Sequence, residues 1–179
     1  MTETISSQSP GQLVTGSAAL TKDQLLTMLD NQGVPYDIFY HKALRTVEEA
    51  RSVRPKSDYG HTKNLFVRNK KGKMWLLTLH EDRKVDLKLV AQQLGAGRFS
   101  FASEDRLMKY LGVIPGAVSA FSILNDELRE VEFFVDEALM THPRWHLHPL
   151  DNRATVTLDR EVLLAFLHQC GHKYQILPN

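Results

Sequence analysis

Residues 61–80, HTKNLFVRNKKGKMWLLTLH, constrain the fold more than any other stretch. Alternation sets His61, Lys63, Leu65 and Val67 on one side of a strand and Thr62, Asn64, Phe66 and Arg68 on the other. Asn69–Gly72 is turn chemistry, and the apolar run MWLLTLH behind it reads as a buried strand. The stretch is a β-hairpin, so the sheet contains an antiparallel ladder. Lys63 is the exception in the pattern, because it shares a side with Leu65 and Val67. A lysine there either snorkels from a strand end or projects into a pocket, and alternation leaves both open.

Local signals place the other elements. Thr21 and Gln24 form a capping box before a helix carrying Leu25, Leu26 and Leu29, with Gly33 at its stop. PYDIFYH follows as a strand. Thr46 and Glu49 repeat the capping-box signal before a short helix, VEEARSV, ended by Pro55. VDLKLVAQQLG and SEDRLMKYLG are helices closed by glycine. REVEFFVDEAL and ATVTL are strands, and Asp159 caps a final helix that runs to about Gly171. Helices and strands are interspersed without steady βαβ alternation, which predicts an α+β fold with a mixed, mainly antiparallel sheet.

The 179 residues fit one domain. Residues 1–17, rich in Ser, Thr, Gly and Gln, read as a disordered leader, and residues 18–179 as the domain. No apolar run approaches a membrane span, and the N-terminus lacks the pattern of a secretory signal. The single cysteine, Cys170, excludes an internal disulfide, so a cytoplasmic location is expected. Net charge is +1, yet Lys42–Lys73 holds ten Lys/Arg against three acids. Such asymmetry fits either a nucleic-acid footprint or a solvated basic surface.

Three constellations invite chemistry. Gly112, Pro115 and Gly116 form a rigid turn after a helix end, whose backbone N–H groups either stabilise an oxyanion or simply make a tight connection. His142, His146 and His148 suggest a metal, but no acid or cysteine ligand stands at diagnostic spacing, so packed or hydrogen-bonding histidines are expected and no metal. Cys170 ends a helix, where the dipole disfavours a thiolate. Ser119 lacks a nucleophile-elbow context, and no phosphate-binding loop is present.

Taken in order, four segments resemble the YbaK-type family of aminoacyl-tRNA deacylases. They are Thr46-Val47-Glu48-Glu49-Ala50, Lys63-Asn64-Leu65-Phe66, the loop Gly112–Phe121, and His148-Pro149 with Asn152 and Thr155. The match is nearest the freestanding prolyl-tRNA editing branch, which is similar to the insertion domain of bacterial prolyl-tRNA synthetase. It runs from about Thr21 to Gly171. Arg45 and Ala120 depart from the family's usual apolar residue and proline.

The resemblance implies a curled mixed sheet with flanking helices, and an active site containing Lys63. It implies hydrolysis of a mischarged aminoacyl-tRNA, most simply alanyl-tRNA for proline, with no cofactor. Gly112, Pro115 and Gly116 would serve the oxyanion beside Lys63. Thr46, Asn64, Val118, Ser119, His148, Asn152 and Thr155 would line the pocket. Arg51, Arg54, Lys70 and Lys71 would meet the tRNA backbone. The expected partners are the tRNA acceptor end and prolyl-tRNA synthetase. The alternative is a non-catalytic binder of aminoacyl-tRNA or amino acid on the same fold.

Overall fold

The computed structural model describes residues 11–43, 49, 51 and 58–179. Thr46, Arg54 and most of the short helix expected after Thr46 lie outside them.

The described strands are β1 (Asp37–Tyr40), β2 (Gly60–Arg68), β3 (Met74–His80), β4 (Ser100–Phe101), β5 (Val131–Asp136), β6 (Arg144–Leu147), β7 (Ala154–Asp159) and β8 (Tyr174–Leu177). The helices are α1 (Lys22–Asn31), α2 (Leu87–Gln93), α3 (Glu104–Leu111) and α4 (Arg160–Gln169). One sheet runs in the order β1-β7-β6-β2-β3-β5-β8, with β4 beside β2. The ladders β1·β7, β6·β7, β2·β3 and β2·β4 are antiparallel, and β2·β6, β3·β5 and β5·β8 are parallel. This is the mixed α+β sheet that the pattern predicts. β8, the two-residue β4 and the extent of β6 were not legible in the sequence, because short strands carry too few alternations to register as a pattern.

Local signals do their expected work at the helix ends. The Thr21 capping box forms, with Gln24 N–H on Thr21 Oγ1 at 3.3 Å and Thr21 N–H on Gln24 Oε1 at 2.9 Å. Asp159 is the N-cap of α4, although its side chain makes no capping bond.

The sheet has two unlike sides. Phe66, Leu76, Phe133, Val156, Leu158 and Trp145 face a main core that α1, α3 and α4 close with Leu25, Leu29, Leu111 and Phe166. Each fully buried Leu or Phe contributes about 1.5–3 kcal/mol. The other side, bearing Val67, Trp75, Leu77, Leu79 and Phe134, is covered by Val90 and Ala91 of α2 in a smaller core. Gly60 allows β2 to lie against β6, since a Cβ there would meet Trp145 Cδ1 at 2.7 Å.

Within the expected leader, residues 11–17 lie against the body. Leu13 is buried and the Val14 N–H donates to Lys109 O at 2.8 Å. Among the described residues no helix is long and apolar enough to cross a membrane.

Candidate active site

Sheet register assembles the site. On β2 the side opposite Phe66 carries His61, Lys63, Leu65 and Val67. His61 is level with His146 in the short parallel pair with β6, which ends there, and His148 follows just past the end of β6. His146 faces Thr157 and Leu147 faces Val156 across β7, which sets His148 beside Thr155. Thr155 faces Phe39 of β1. Lys63, His148 and Thr155 therefore come to the same side of the sheet, Thr155 paired with Phe39. One transverse row reads His61, His146, Thr157, Asp37.

Lys63 is half-buried. Its ammonium donates to Glu81 O at 2.9 Å and to Arg83 O, both in the loop after β3. Burial pulls its pKa below the ordinary lysine value, against the raising influence of Asp82, Asp136 and Glu81. It stands on the wall of a pocket of about 640 Å³, with Leu65 and Leu87 as apolar lining and Arg51 and Lys84 among its cations. Both readings of Lys63 are thus partly met: the stem lies along apolar side chains while the head reaches a polar pocket edge.

The histidine end of this side is a hydrogen-bonded network. His148 Nδ1 donates to Ala154 O at 2.9 Å, which leaves Nε2 with its lone pair. Burial lowers its pKa, so the neutral ring persists below the usual histidine range. His41 lies with its ring 6.0 Å from that of His148. Its Nδ1 donates to Lys42 O at 2.7 Å and its Nε2 accepts from the Thr155 hydroxyl at 2.9 Å. In the transverse row, His61 stacks on His146 at 4.6 Å, and Thr157 Oγ1 meets His146 Nδ1 at 2.6 Å. His142 belongs elsewhere, stacked on His80 at 5.2 Å. Among the described residues, no three His, Cys, Asp or Glu side chains are grouped to hold a metal.

The remaining expected residues fall in other places. Asn64 points to the main-core side, where its Oδ1 accepts from the buried Thr78 hydroxyl at 2.6 Å. The loop after α3 also packs there, through Val113, Ala117, Ala120 and Phe121. Gly112 caps α3 in the left-handed region at φ 64°. Its N–H donates to Met108 O at 3.0 Å. A Cβ on Gly112 would meet Asn125 Nδ2 at 2.5 Å. Pro115 and Gly116 are exposed at the loop tip, Val118 is partly buried, and Ser119 is buried with its N–H on Ser122 Oγ at 3.0 Å. Asn152 is buried in the loop before β7. Lys70 and Lys71 are exposed at the hairpin turn, about 20 Å along β2 from Lys63. Arg51 is paired with Glu81 at 3.3 Å and with Asp82. Burial raises the Cys170 thiol pKa.

Sequence reasoning missed His41 and Phe101 as site residues. His41 ends the expected strand PYDIFYH, and Phe101 falls between two expected helices with no strand signal of its own. The motifs that carry the family resemblance begin after His41 and leave out Phe101, so neither residue was singled out.

The chain matches the family model of the aminoacyl-tRNA editing domain over residues 41–166. It is 37% identical over 157 residues to the prolyl-tRNA editing protein ProX of Acetoanaerobium sticklandii, covering 87% of this chain and 96% of that one. It is 34% identical over 146 residues to prolyl-tRNA synthetase associated domain-containing protein 1 of Bos taurus, covering 79% and 85% of the two chains. A crystal structure of a candidate trans-editing enzyme for prolyl-tRNA synthetase superposes with a TM-score of 0.66 at 18% identity, covering 91% of this chain and 99% of that one. At that identity the likeness shows the fold alone.

Proposed function

The chain belongs to the aminoacyl-tRNA editing domain family and is an aminoacyl-tRNA deacylase; from that premise we propose that it edits tRNA for proline in trans, removing a wrongly attached amino acid, alanine above all. The observation that carries this reading is Lys63 on the wall of a cation-bearing pocket, on the same side of the sheet as the hydrogen-bonded cluster of His41, His148 and Thr155.

The reaction is hydrolysis of the ester between the amino acid and the terminal ribose. That ester is already activated, so water suffices and no covalent nucleophile or cofactor is needed. The His148 ring, neutral and with Nε2 free of its own proton, orients the water and receives its proton as attack proceeds. The Lys63 ammonium faces the negative charge that develops on the carbonyl oxygen or the adjoining phosphate. Thr155 and His41 are hydrogen-bonded to each other beside His148. The Gly112 N–H is already engaged by Met108 O, which shifts the oxyanion role toward Lys63. The exposed turn lysines, Lys70 and Lys71, contact the acceptor-stem phosphates. Prolyl-tRNA synthetase, the source of the mischarged tRNA, is the expected protein partner.

Alanine over proline is the selectivity that such a site must supply. A synthetic site sized for proline cannot strongly exclude alanine, because the smaller side chain still enters. Lost methylenes discriminate by only about 1–3 kcal/mol each. A second, tighter site rejects the pyrrolidine ring by overlap. The test is kcat/KM of the purified protein on alanyl-, seryl-, cysteinyl- and prolyl-tRNA for proline. Alanyl-tRNA is expected to be cleaved fastest, and faster cleavage of prolyl-tRNA would overturn the editing assignment.

A further inference from the structure

We propose that the pocket between Phe101 and Lys63 holds the terminal nucleoside of the tRNA, with its base stacked on the Phe101 ring. The inference rests on an aminoacyl-tRNA substrate and adds the seat of its last base.

Phe101 is 62% exposed, more than any other large hydrophobic side chain among the described residues. It sits on β4 directly opposite Val67 of β2. Directly paired residues in an antiparallel ladder point to the same face, so Phe101 lies on the side of β2 that carries Leu65 and Lys63. All three line one pocket of about 640 Å³, within the range of small-molecule sites. Val67 and Lys63 are four residues apart on one strand, so the floor from Phe101 to Lys63 is about 13 Å long.

The ends of this floor differ in chemistry. At one end is an uncommitted aromatic face; Leu65 and Leu87 continue the apolar surface. At the other is the Lys63 ammonium, positioned by Glu81 O and Arg83 O. Arg51 on the rim is compensated by Glu81 and Asp82, and Arg83 by the buried Asp136 at 2.6 Å. Lys84 stands exposed at the rim.

A flat, apolar-faced group joined to an anion fits this order. A terminal nucleoside has a π-face at one end and, at the other, a ribose joined to the chain's last phosphate, and unpaired RNA bases are held by stacking on aromatic side chains. With the base on Phe101 and the phosphate toward Lys84, the ribose 3′ end arrives at Lys63. The aminoacyl group then continues toward His148 and Thr155. Lys63 is the junction of the two halves of the substrate.

The test uses the tetranucleotide ACCA and the same RNA with an abasic 3′-terminal ribose, with binding measured by calorimetry. Phe101→Ala should weaken ACCA binding about five- to a hundredfold, the range of one stacked base. Phe101→Trp should retain binding, and its fluorescence should be quenched by ACCA. The abasic RNA should bind wild type as weakly as ACCA binds Phe101→Ala, with no further weakening on that variant. Ile176→Ala, exposed on β8, is the surface control. Equal binding of ACCA to wild type and Phe101→Ala overturns the proposal, as does an abasic penalty that survives in Phe101→Ala. Deacylation of mischarged tRNA is assayed separately. Active enzyme with Phe101-independent binding refutes only the nucleoside seat. Inactive enzyme with Phe101-dependent ACCA binding refutes only the editing reading.

Discussion

Lys63 and Glu81 meet through the backbone: the ammonium on β2 donates to the Glu81 carbonyl oxygen at 2.9 Å, just past the end of β3. The lysine is held by the loop that walls its pocket, so its charge has a fixed position. Lys63→Ala is expected to reduce kcat/KM for mischarged tRNA at least a hundredfold. The side chain is half-buried at a pocket edge, so the melting temperature should move by only a few degrees. Lys63→Arg should not restore activity, because a planar fork cannot replace a point donor between two carbonyls. Full activity in a folded Lys63→Ala protein would remove Lys63 from the site.

His148 should set the acid limb of the pH–rate profile. Burial lowers its pKa, so the basic form persists below the usual value near 6.5, and activity should fall only at more acid pH. His148→Gln should cut kcat by about 10²–10⁴ and abolish that limb. An unchanged limb in His148→Gln assigns the titration to another group.

Gly112→Ala distinguishes a structural glycine from an oxyanion donor. The residue has φ 64°, and the new Cβ would press on Asn125 Nδ2 at 2.5 Å. Asn125 bonds both Leu111 O at 3.0 Å and the Leu20 N–H at 2.8 Å, tying α3 to the start of α1. A loss of about 2–3 kcal/mol in urea unfolding is expected from left-handed strain and a disturbed buried amide. The surviving folded fraction should keep its specific activity.

His172 should make the fold acid-sensitive. It is buried beside the Arg129 guanidinium, with Arg129 Nη1 2.6 Å from its Nε2, and its pKa is lowered to about 4. The unfolded chain takes up a proton near pH 6.5 that the folded chain refuses, so its stabilising effect is complete above 6.5 and is lost as pH falls toward 4. The full span is about 3 kcal/mol. Asp126, whose pKa is raised by burial, acts in the opposite direction, so the measurement is the difference between wild type and His172→Gln. That difference should shrink steadily from pH 7 to pH 4; a constant difference would show that His172 does not titrate with unfolding.

Salt dependence should locate the RNA-binding lysines. Lys70→Ala with Lys71→Ala should flatten the slope of log affinity against log salt, by somewhat under one unit for each phosphate that a lysine no longer neutralises. Arg51→Ala should change it less, because Glu81 and Asp82 already compensate its charge. An unchanged slope in the double lysine variant would make the hairpin turn a solvated surface.

The sequence by itself determined whatever depends on near neighbours. The hairpin 61–80, the Thr21 capping box, the helix ending at Gly112 and the side of β2 that bears Lys63 are consequences of alternation, turn chemistry and caps, which act within a few residues. Family resemblance then singled out Lys63, His148 and Thr155. Only the tertiary structure decided that these three come to one side of the sheet, because the parallel pairing of β2 with β6 joins residues about eighty positions apart and no local signal encodes its register. The separation of Asn64 from Lys63, by contrast, follows from alternation alone, since adjacent residues on a strand face opposite sides. The packing of the loop after α3 placed Gly112 and Ser119 against the main core. Phe101 depended most on the tertiary structure: a two-residue strand has no period to read, and its exposure beside Lys63 exists only once β4 has docked on β2.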